Sequence, residues 1–398
     1  MNENLTSIQR VADNAATDRL PWAGLLLLAM AGFICILTET LPAGLLPQIS
    51  EGLGISEALV GQFVTLYAIG SLAAAIPLIS ATRGWRRRPL LLMCIIGFFV
   101  FNTITALSSS YILTLAARFL AGVSAGVLWG MTAGYARRMV HESLKGQAMA
   151  VAMAGAPLAL SLGVPAGTFL GALVGWRAVF WIISLLALAL AVLVLWKLPD
   201  LSGQAADKRL PLHRVFITPG VRAVLFIVLV WVLAHSILYT YIAPFLARIG
   251  LGERVDLALL IFGITSVAGI WLTGLLIDRW LRRLVLISLA VFAVASALLG
   301  IGSGQPILIY LAVALWGLTY GGAGTLLQTA IAEAAGDNAD VAQSMLVTAW
   351  NLAIGGGGII GGILLETLGT STFPWILLIL LLLALLVSWR SKEHGFPE

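Results

Sequence analysis

The chain has 398 residues, 60% hydrophobic and 10% charged, with a formal net charge of +5 and a mean hydropathy of +1.01. A soluble domain is about 45–50% apolar and about 25% charged, so this composition excludes a secreted enzyme, a coiled coil and a nucleic-acid binder. It matches instead the roughly 240 apolar residues that twelve bilayer crossings of about 20 residues require.

In chain order, the polar segment 1–20 reads as a cytoplasmic tail. The apolar run behind it is too long for the core of a cleaved signal. Apolar runs follow at 22–47, 58–80, 89–108, 111–134, 147–173, 178–196, 223–246, 257–277, 284–302, 306–331, 341–365 and 372–389. Each is long enough to cross a bilayer as a helix, and none alternates as a barrel strand does. A bilayer core offers no water to unpaired backbone groups, which leaves the helix as the spanning form. The expected fold is an all-α polytopic membrane protein of twelve transmembrane helices. Residues 197–222 form the longest polar stretch after the tail and read as a cytoplasmic linker. They divide a six-helix bundle at 21–196 from a second at 223–390, and 391–398 form a short cytoplasmic tail. The two cysteines, Cys35 and Cys94, sit inside apolar runs as small hydrophobes, so neither a disulfide framework nor a metal site is expected.

Nineteen of the 23 lysines and arginines fall in the segments that share a side with the termini. Arg177, Arg248 and Arg254 fall on the other side, and Arg118 lies within a span. The positive-inside bias then puts both termini in the cytoplasm, and it explains the net charge without a nucleic-acid partner. The two halves resemble each other at an offset of 197: Pro47 maps onto Pro244, and Pro77-x8-Arg86 onto Gly274-x8-Arg283. Two like-oriented six-helix repeats are the plan of certain secondary transporters, whose substrate site lies near the midplane between the halves.

Several motifs sharpen this. The second-half loop reads Gly274-Leu-Leu-Ile-Asp278-Arg279-Trp-Leu-Arg282-Arg283; span four carries Arg118-Phe-Leu-Ala-Gly122 and then Gly126; span five carries Gly163-Val-Pro165-Ala-Gly167, followed by Gly175-Trp176-Arg177. With these residues the chain resembles the major facilitator superfamily from span one to span twelve. The loop is similar to that superfamily's G-x-x-x-D-R-x-G-R-R signature, and the span-five run resembles its antiporter motif. The first-half copy of the loop departs from the signature, with Ala81 at the Asp position and Pro77 at the first Gly. The resemblance therefore implies a gating salt bridge from Asp278 and not from the first loop, with Arg83, Arg86, Arg87, Arg279, Arg282 and Arg283 as the loop's basic residues. Thr38-Glu39-Thr-Leu-Pro42-Ala-Gly44-Leu-Leu-Pro47, taken with His235-Ser-Ile-Leu-Tyr239-Thr-Tyr241-Ile-Ala-Pro244, looks most like the drug- and sugar-efflux branch of proton antiporters.

Of the 41 acidic and basic residues, Glu39 and Arg118 alone fall inside the twelve runs. Charges at membrane depth are expensive and are usually functional and paired. Glu39 lies eight residues from the outer end of its run, about 12 Å, and Arg118 seven residues into its own, about 10 Å. The two should share one level of the N-terminal bundle as a proton-coupling pair; a static ion pair that fixes helix packing is the rival. His235, Tyr239, Tyr241, Gln328 and Asn351 are candidate substrate contacts, with Trp129, Trp316, Tyr320 and Trp350 as aromatic walls, against a rival role in packing for each. The glycines of spans four and five (Gly122, Gly126, Gly163, Gly167 and Gly171), beside Pro165, suit close helix approach. In spans five and eleven such stripes also suit a surface on which the halves rock. The expected function is proton-coupled efflux of a small sugar-like or drug-like molecule by a monomer in a bacterial inner membrane, driven by the proton gradient and without a cofactor. An importer or uniporter on the same fold is the alternative. A receptor or intramembrane enzyme is the reading of another class, and no metal, nucleophile or nucleotide-binding motif supports it.

Overall fold

The computed structural model describes residues 20–75, 77–82, 84–141, 144–202, 215–302, 304–336, 339–392 and 395–396. Twelve helices among them are long and apolar enough to cross a bilayer. In the first half these are α1 (Trp22–Gly44), α2 (Glu57–Ala74), α3 (Arg87–Leu107), α4 (Tyr111–Arg138), α5 (Lys145–Val174) and α6 (Trp176–Lys197). In the second half they are α7 (Val221–Thr240), α8 (Gly252–Ile277), α9 (Arg279–Ile301), α10 (Pro306–Ala335), α11 (Val341–Thr367) and α12 (Thr370–Arg390).

Breaks in these helices trace to proline and glycine. α1 ends where Leu45 leaves helical dihedrals (φ −108°, ψ 12°) and a short helix, Leu46–Leu53, resumes with Pro47 in its first turn. Its counterpart α7 ends at Tyr241 (φ −113°, ψ 27°), before the short helix Ile242–Arg248 that holds Pro244. In α5 a π-helical turn, Ala159–Gly163, precedes Pro165; without an N–H at 165 the regular bonding register cannot run through.

The junction of α8 and α9 corrects the expected loop at 278–283. Val255–Ile301 is helical throughout except at Trp280 (φ −136°, ψ 29°). No glycine or proline occurs between Gly274 and Gly300, so nothing in the chain stops the helix except that one kink. The first-half junction, with Pro77, Gly84 and Pro89, does break, into the short helix Pro77–Ala81 and a turn.

Each half has its own aromatic core: Phe63, Phe98, Tyr135 and Phe180 in the first, Trp231, Phe262, Phe292 and Phe373 in the second, all fully buried. Glycine lets α4 lie directly on α2. A Cβ on Gly122 would strike the carbonyl of Tyr67, and one on Gly126 the carbonyl of Ser71. The second half repeats the device, with Gly317 and Gly321 of α10 against the carbonyls of Phe262 and Ser266 in α8.

Candidate functional site

A proline creates the acceptor that an arginine fills. In a regular helix the carbonyl of Thr38 accepts from the N–H of residue 42, but Pro42 has none. Arg118, fully buried on α4, supplies the missing donor: its Nη2 bonds the Thr38 carbonyl and, at 3.3 Å, the Glu39 carbonyl. Its Nε donates to the Phe63 carbonyl of α2 at 3.5 Å, and the guanidinium lies 5.1 Å from the centroid of the Tyr67 ring. Asn102 of α3 donates to Thr38 Oγ1 at 2.9 Å, and Tyr67 donates to the Cys35 carbonyl at 2.9 Å. Four helices thus meet in one polar knot around Thr38. Hydrogen bonds from a charged donor contribute about 1.5–3 kcal/mol each, which makes an arginine at this depth tolerable. Its Nη1 and the Oδ1 of Asn102 stay buried without a partner.

Glu39 and Arg118 therefore share one level and one interior, as their depths suggested, but through the backbone of α1. Among the described residues the Glu39 carboxyl closes neither an ion pair with Arg118 nor a hydrogen bond of its own. It is half-buried, and Tyr67 and Arg118 of its own half and the hydroxyls of Tyr239 and Tyr320 of the other all lie within its electrostatic reach.

Position 38 maps onto position 235 at the repeat offset, and there the second half carries a histidine. Trp316 Nε1 donates to His235 Nδ1 at 3.2 Å. Tyr320 stacks on the imidazole, with centroids 3.4 Å apart and planes 5° apart, while Tyr239 and Phe262 flank it at 5.2 and 5.7 Å. Trp350 extends the cluster from Tyr320 at 6.3 Å. With Nδ1 an acceptor, the neutral ring carries its hydrogen on Nε2. Tyr239 Oη is buried and unpartnered; Thr40 of α1 faces it but sends its own hydroxyl proton to the Ile36 carbonyl at 2.7 Å. The second half thus brings an aromatic cluster with one unpartnered hydroxyl, Tyr239 Oη, within electrostatic reach of the unspent Glu39 carboxyl of the first.

The remaining candidates lie elsewhere. Tyr241 is fully buried and wedges the halves together, donating to the Gly358 carbonyl at 2.7 Å and standing 3.4 Å from that of Ala58. Gln328 is exposed, and its carbonyl accepts from Gln343 at 2.7 Å. Asn351 bonds the Val347 carbonyl of its own helix at 3.0 Å. Trp129 covers Gly32 of α1 inside the first half. The structure thus gathers His235, Tyr239, Trp316, Tyr320 and Trp350, and does not bring Tyr241, Gln328 or Trp129 into that cluster.

The glycine stripes divide. Gly163, Gly167 and Gly171 of α5 lie over Leu37, Leu41 and Leu45 of the same half, so that stripe is not the surface between the halves. In α11, Gly357 and Gly361 face Ser236 and Tyr241, whereas Gly358 and Gly362 face Thr65 and Gln62 across the seam. There Gln62 donates to the Gly358 carbonyl at 3.1 Å, Thr65 to that of Gly355 at 3.3 Å and Ser56 to Glu366 at 2.8 Å. Gly263 of α8 abuts Ser161, in the π turn of α5. The bonds of Gln62, Thr65 and Ser56, and that of Tyr241 to Ala58, join the halves at the end away from the termini.

At the terminal end, Arg83 and the side chain of Asp278 lie outside the described residues. Arg279 and Arg283 are exposed. Arg86 pairs with Asp200 at 2.6 Å, so the first loop does make a salt bridge, to the start of the linker. The Arg87 N–H donates to the Leu201 carbonyl at 2.8 Å, and Arg88 reaches the carbonyls of Leu195 and Leu198 where α6 ends. Arg282 does the same for α12, donating to Trp389 at 2.9 Å, Phe396 at 3.0 Å and Ser388 at 3.4 Å. In both halves these arginines satisfy the carbonyls that a helix C-terminus leaves free.

Tyr67 and Asn102 belong to the polar knot around Thr38 without being sequence candidates. A lone amide in the apolar run 89–108 was the available signal for Asn102, of the same kind as Asn351.

Twelve spanning helices in two like-oriented halves that meet at a polar seam define a helical membrane transporter built from parallel repeats. The sequence matches the model of the Major Facilitator Superfamily over residues 28–339 and again over 253–397. The chain belongs to that superfamily; it is a transporter and not an enzyme. It is 27% identical over 360 residues to a probable sugar efflux transporter of Pasteurella multocida (strain Pm70), a match that covers 89% of this chain and 88% of the relative. Solved structures of similar fold include a D-xylose-proton symporter (TM-score 0.79, 14% identity, 95% of this chain and 99% of that one). Another is a bacterial homolog of the human lysosomal transporter Spinster, inward-facing and occupied (TM-score 0.73, 16% identity, 93% and 96%).

Proposed function

We propose that the chain is a monomeric efflux transporter of a bacterial inner membrane, with both termini cytoplasmic, which exchanges a small, neutral, hydroxylated molecule of the sugar class for protons. The observation that carries this reading is the Glu39 carboxyl, which among the described residues has no hydrogen-bond or ion-pair partner and lies within electrostatic reach of Tyr239 and Tyr320, while the adjacent arginine is committed to backbone carbonyls. Enclosing an ionised carboxyl without a partner is costly, whereas a protonated one, or one bonded to a substrate hydroxyl, is far cheaper to enclose. Proton and substrate therefore satisfy the same group by turns, and the halves exchange faces with one or the other aboard. That rule is antiport. The face of Tyr320 turned away from His235 suits the apolar face of a sugar ring, with the unpartnered Tyr239 Oη and the His235 imidazole beside it to bond hydroxyls. The relative's description as a probable sugar efflux transporter supports the same class.

The test is Glu39→Gln in proteoliposomes, with a panel of labelled mono- and disaccharides. Transport driven by a pH gradient should fall at least tenfold, while exchange of substrate for substrate persists. Gradient-driven transport at the wild-type rate overturns the assignment.

A further inference from the structure

The outer wall of the second half carries a groove away from the seam. It opens between α9 and α12 as a shallow slot of about 550 Å³, lined by Leu286, Ile287 and Ala290 on one side and Leu382, Leu386 and Trp389 on the other. That volume lies within the range of ligand pockets. Apolar surface facing hydrocarbon is ordinary in a membrane protein; the chemistry at one end of this groove is not. Arg283 precedes Leu286 by three residues and Ala290 by seven, and Arg390 follows Leu386 by four and Leu382 by eight. At helical spacing both arginines continue the faces that line the groove, toward the terminal end of the bundle. Both are exposed, and among the described residues neither makes a hydrogen bond or ion pair. Between them Arg282 ties the start of α9 to the Ser388 and Trp389 carbonyls of α12, which fixes the spacing of the two helices at the groove's mouth.

We propose that this groove binds an anionic phospholipid from the leaflet on the side of the termini, with one acyl chain between α9 and α12 and the phosphate held by Arg283 and Arg390. Charge complementarity selects the occupant: an apolar slot that ends in two unpaired guanidinium groups is the complement of an apolar chain that ends in a phosphate. Guanidinium matches phosphate oxygens in bidentate geometry, and basic pockets between spanning helices near the membrane surface are recognised lipid-headgroup sites. Trp389, 64% exposed at the rim, sits where an indole suits the headgroup boundary.

Native mass spectrometry of the full chain in detergent tests this, by titration with phosphatidylglycerol and with phosphatidylcholine of the same acyl chains. Wild type should retain phosphatidylglycerol on the order of 30-fold more tightly, from about 1 kcal/mol per basic residue. The double variant Arg283→Ala/Arg390→Ala should lose that preference. Ala290→Trp keeps both charges but fills the slot, and it should weaken both lipids at least tenfold. Arg254→Ala, at the opposite end of the bundle, should bind as wild type does. Equal retention of the two lipids by wild type, wild-type phosphatidylglycerol retention by either groove variant, or equal loss in Arg254→Ala overturns the proposal.

Discussion

Pro42→Ala is expected to separate stability from activity. Proline in a helix interior costs about 3 kcal/mol relative to alanine, so the substitution favours α1 as a helix. It also restores an N–H at position 42, which then competes with Arg118 for the Thr38 carbonyl. Loss of one charge-assisted hydrogen bond costs about 1.5–3 kcal/mol. The net effect on stability therefore lies between about zero and about 3 kcal/mol in favour of the variant, depending on whether the carbonyl keeps both donors. Transport should move the other way. A guanidinium released from the backbone is free to turn to the Glu39 carboxyl one residue along, and a carboxyl held in an ion pair no longer exchanges its proton with substrate. The assay combines a thermal melt of the detergent-purified protein with gradient-driven uptake in proteoliposomes. The expected result is a melting temperature at or above that of wild type and uptake reduced at least fivefold. A clearly destabilised variant, or a stable one with unchanged uptake, would refute the reasoning from the orphaned carbonyl.

Trp316→Phe removes the donor to His235 Nδ1 and keeps the ring. With about 0.5–1.5 kcal/mol at stake, KM should rise about 2- to 13-fold while the maximal rate stays within twofold, as read from uptake against substrate concentration; an unchanged KM contradicts the positioning role. Tyr241→Phe deletes the hydroxyl that reaches across the seam to the Ala58 carbonyl. The closed-to-open ratio at that end should fall about 2- to 13-fold on the same scale, read as faster labelling of a cysteine placed at Gln62. Unchanged labelling would remove Tyr241 from the closure.

Much of the architecture was legible in the sequence because it rests on one-dimensional quantities: the length of each apolar run, the side on which arginines gather, and the offset between Pro47 and Pro244. The common level of Glu39 and Arg118 followed from counting residues along two helices. The manner of their association did not, because it turns on a hydrogen bond that Pro42 fails to make. Tyr241 and Tyr239 are two residues apart in similar company, yet a helix break between them sends one into the closure and the other into the aromatic cluster. The α5 glycines had the right spacing for a sliding surface. Spacing says that a helix has a smooth face, not which neighbour it meets, and that neighbour is α1. The kink at Trp280 carries no local signal at all.

The closed end of the bundle has an energetic scale of its own. Its four cross-seam hydrogen bonds run from Ser56 to Glu366, Gln62 to Gly358, Thr65 to Gly355 and Tyr241 to Ala58, and three of them end on main-chain oxygen. A helical carbonyl already serves its own N–H, so each offers a second lone pair, which water replaces readily when the halves part. At about 0.5–1.5 kcal/mol net per bond, the whole fastening holds with about 2–6 kcal/mol. One elementary charge crossing 100 mV supplies about 2.3 kcal/mol. The lower end of that range is close to the work of a single charge moving down such a field, so the seam is weak enough for one such step to tip and strong enough to stay shut without it.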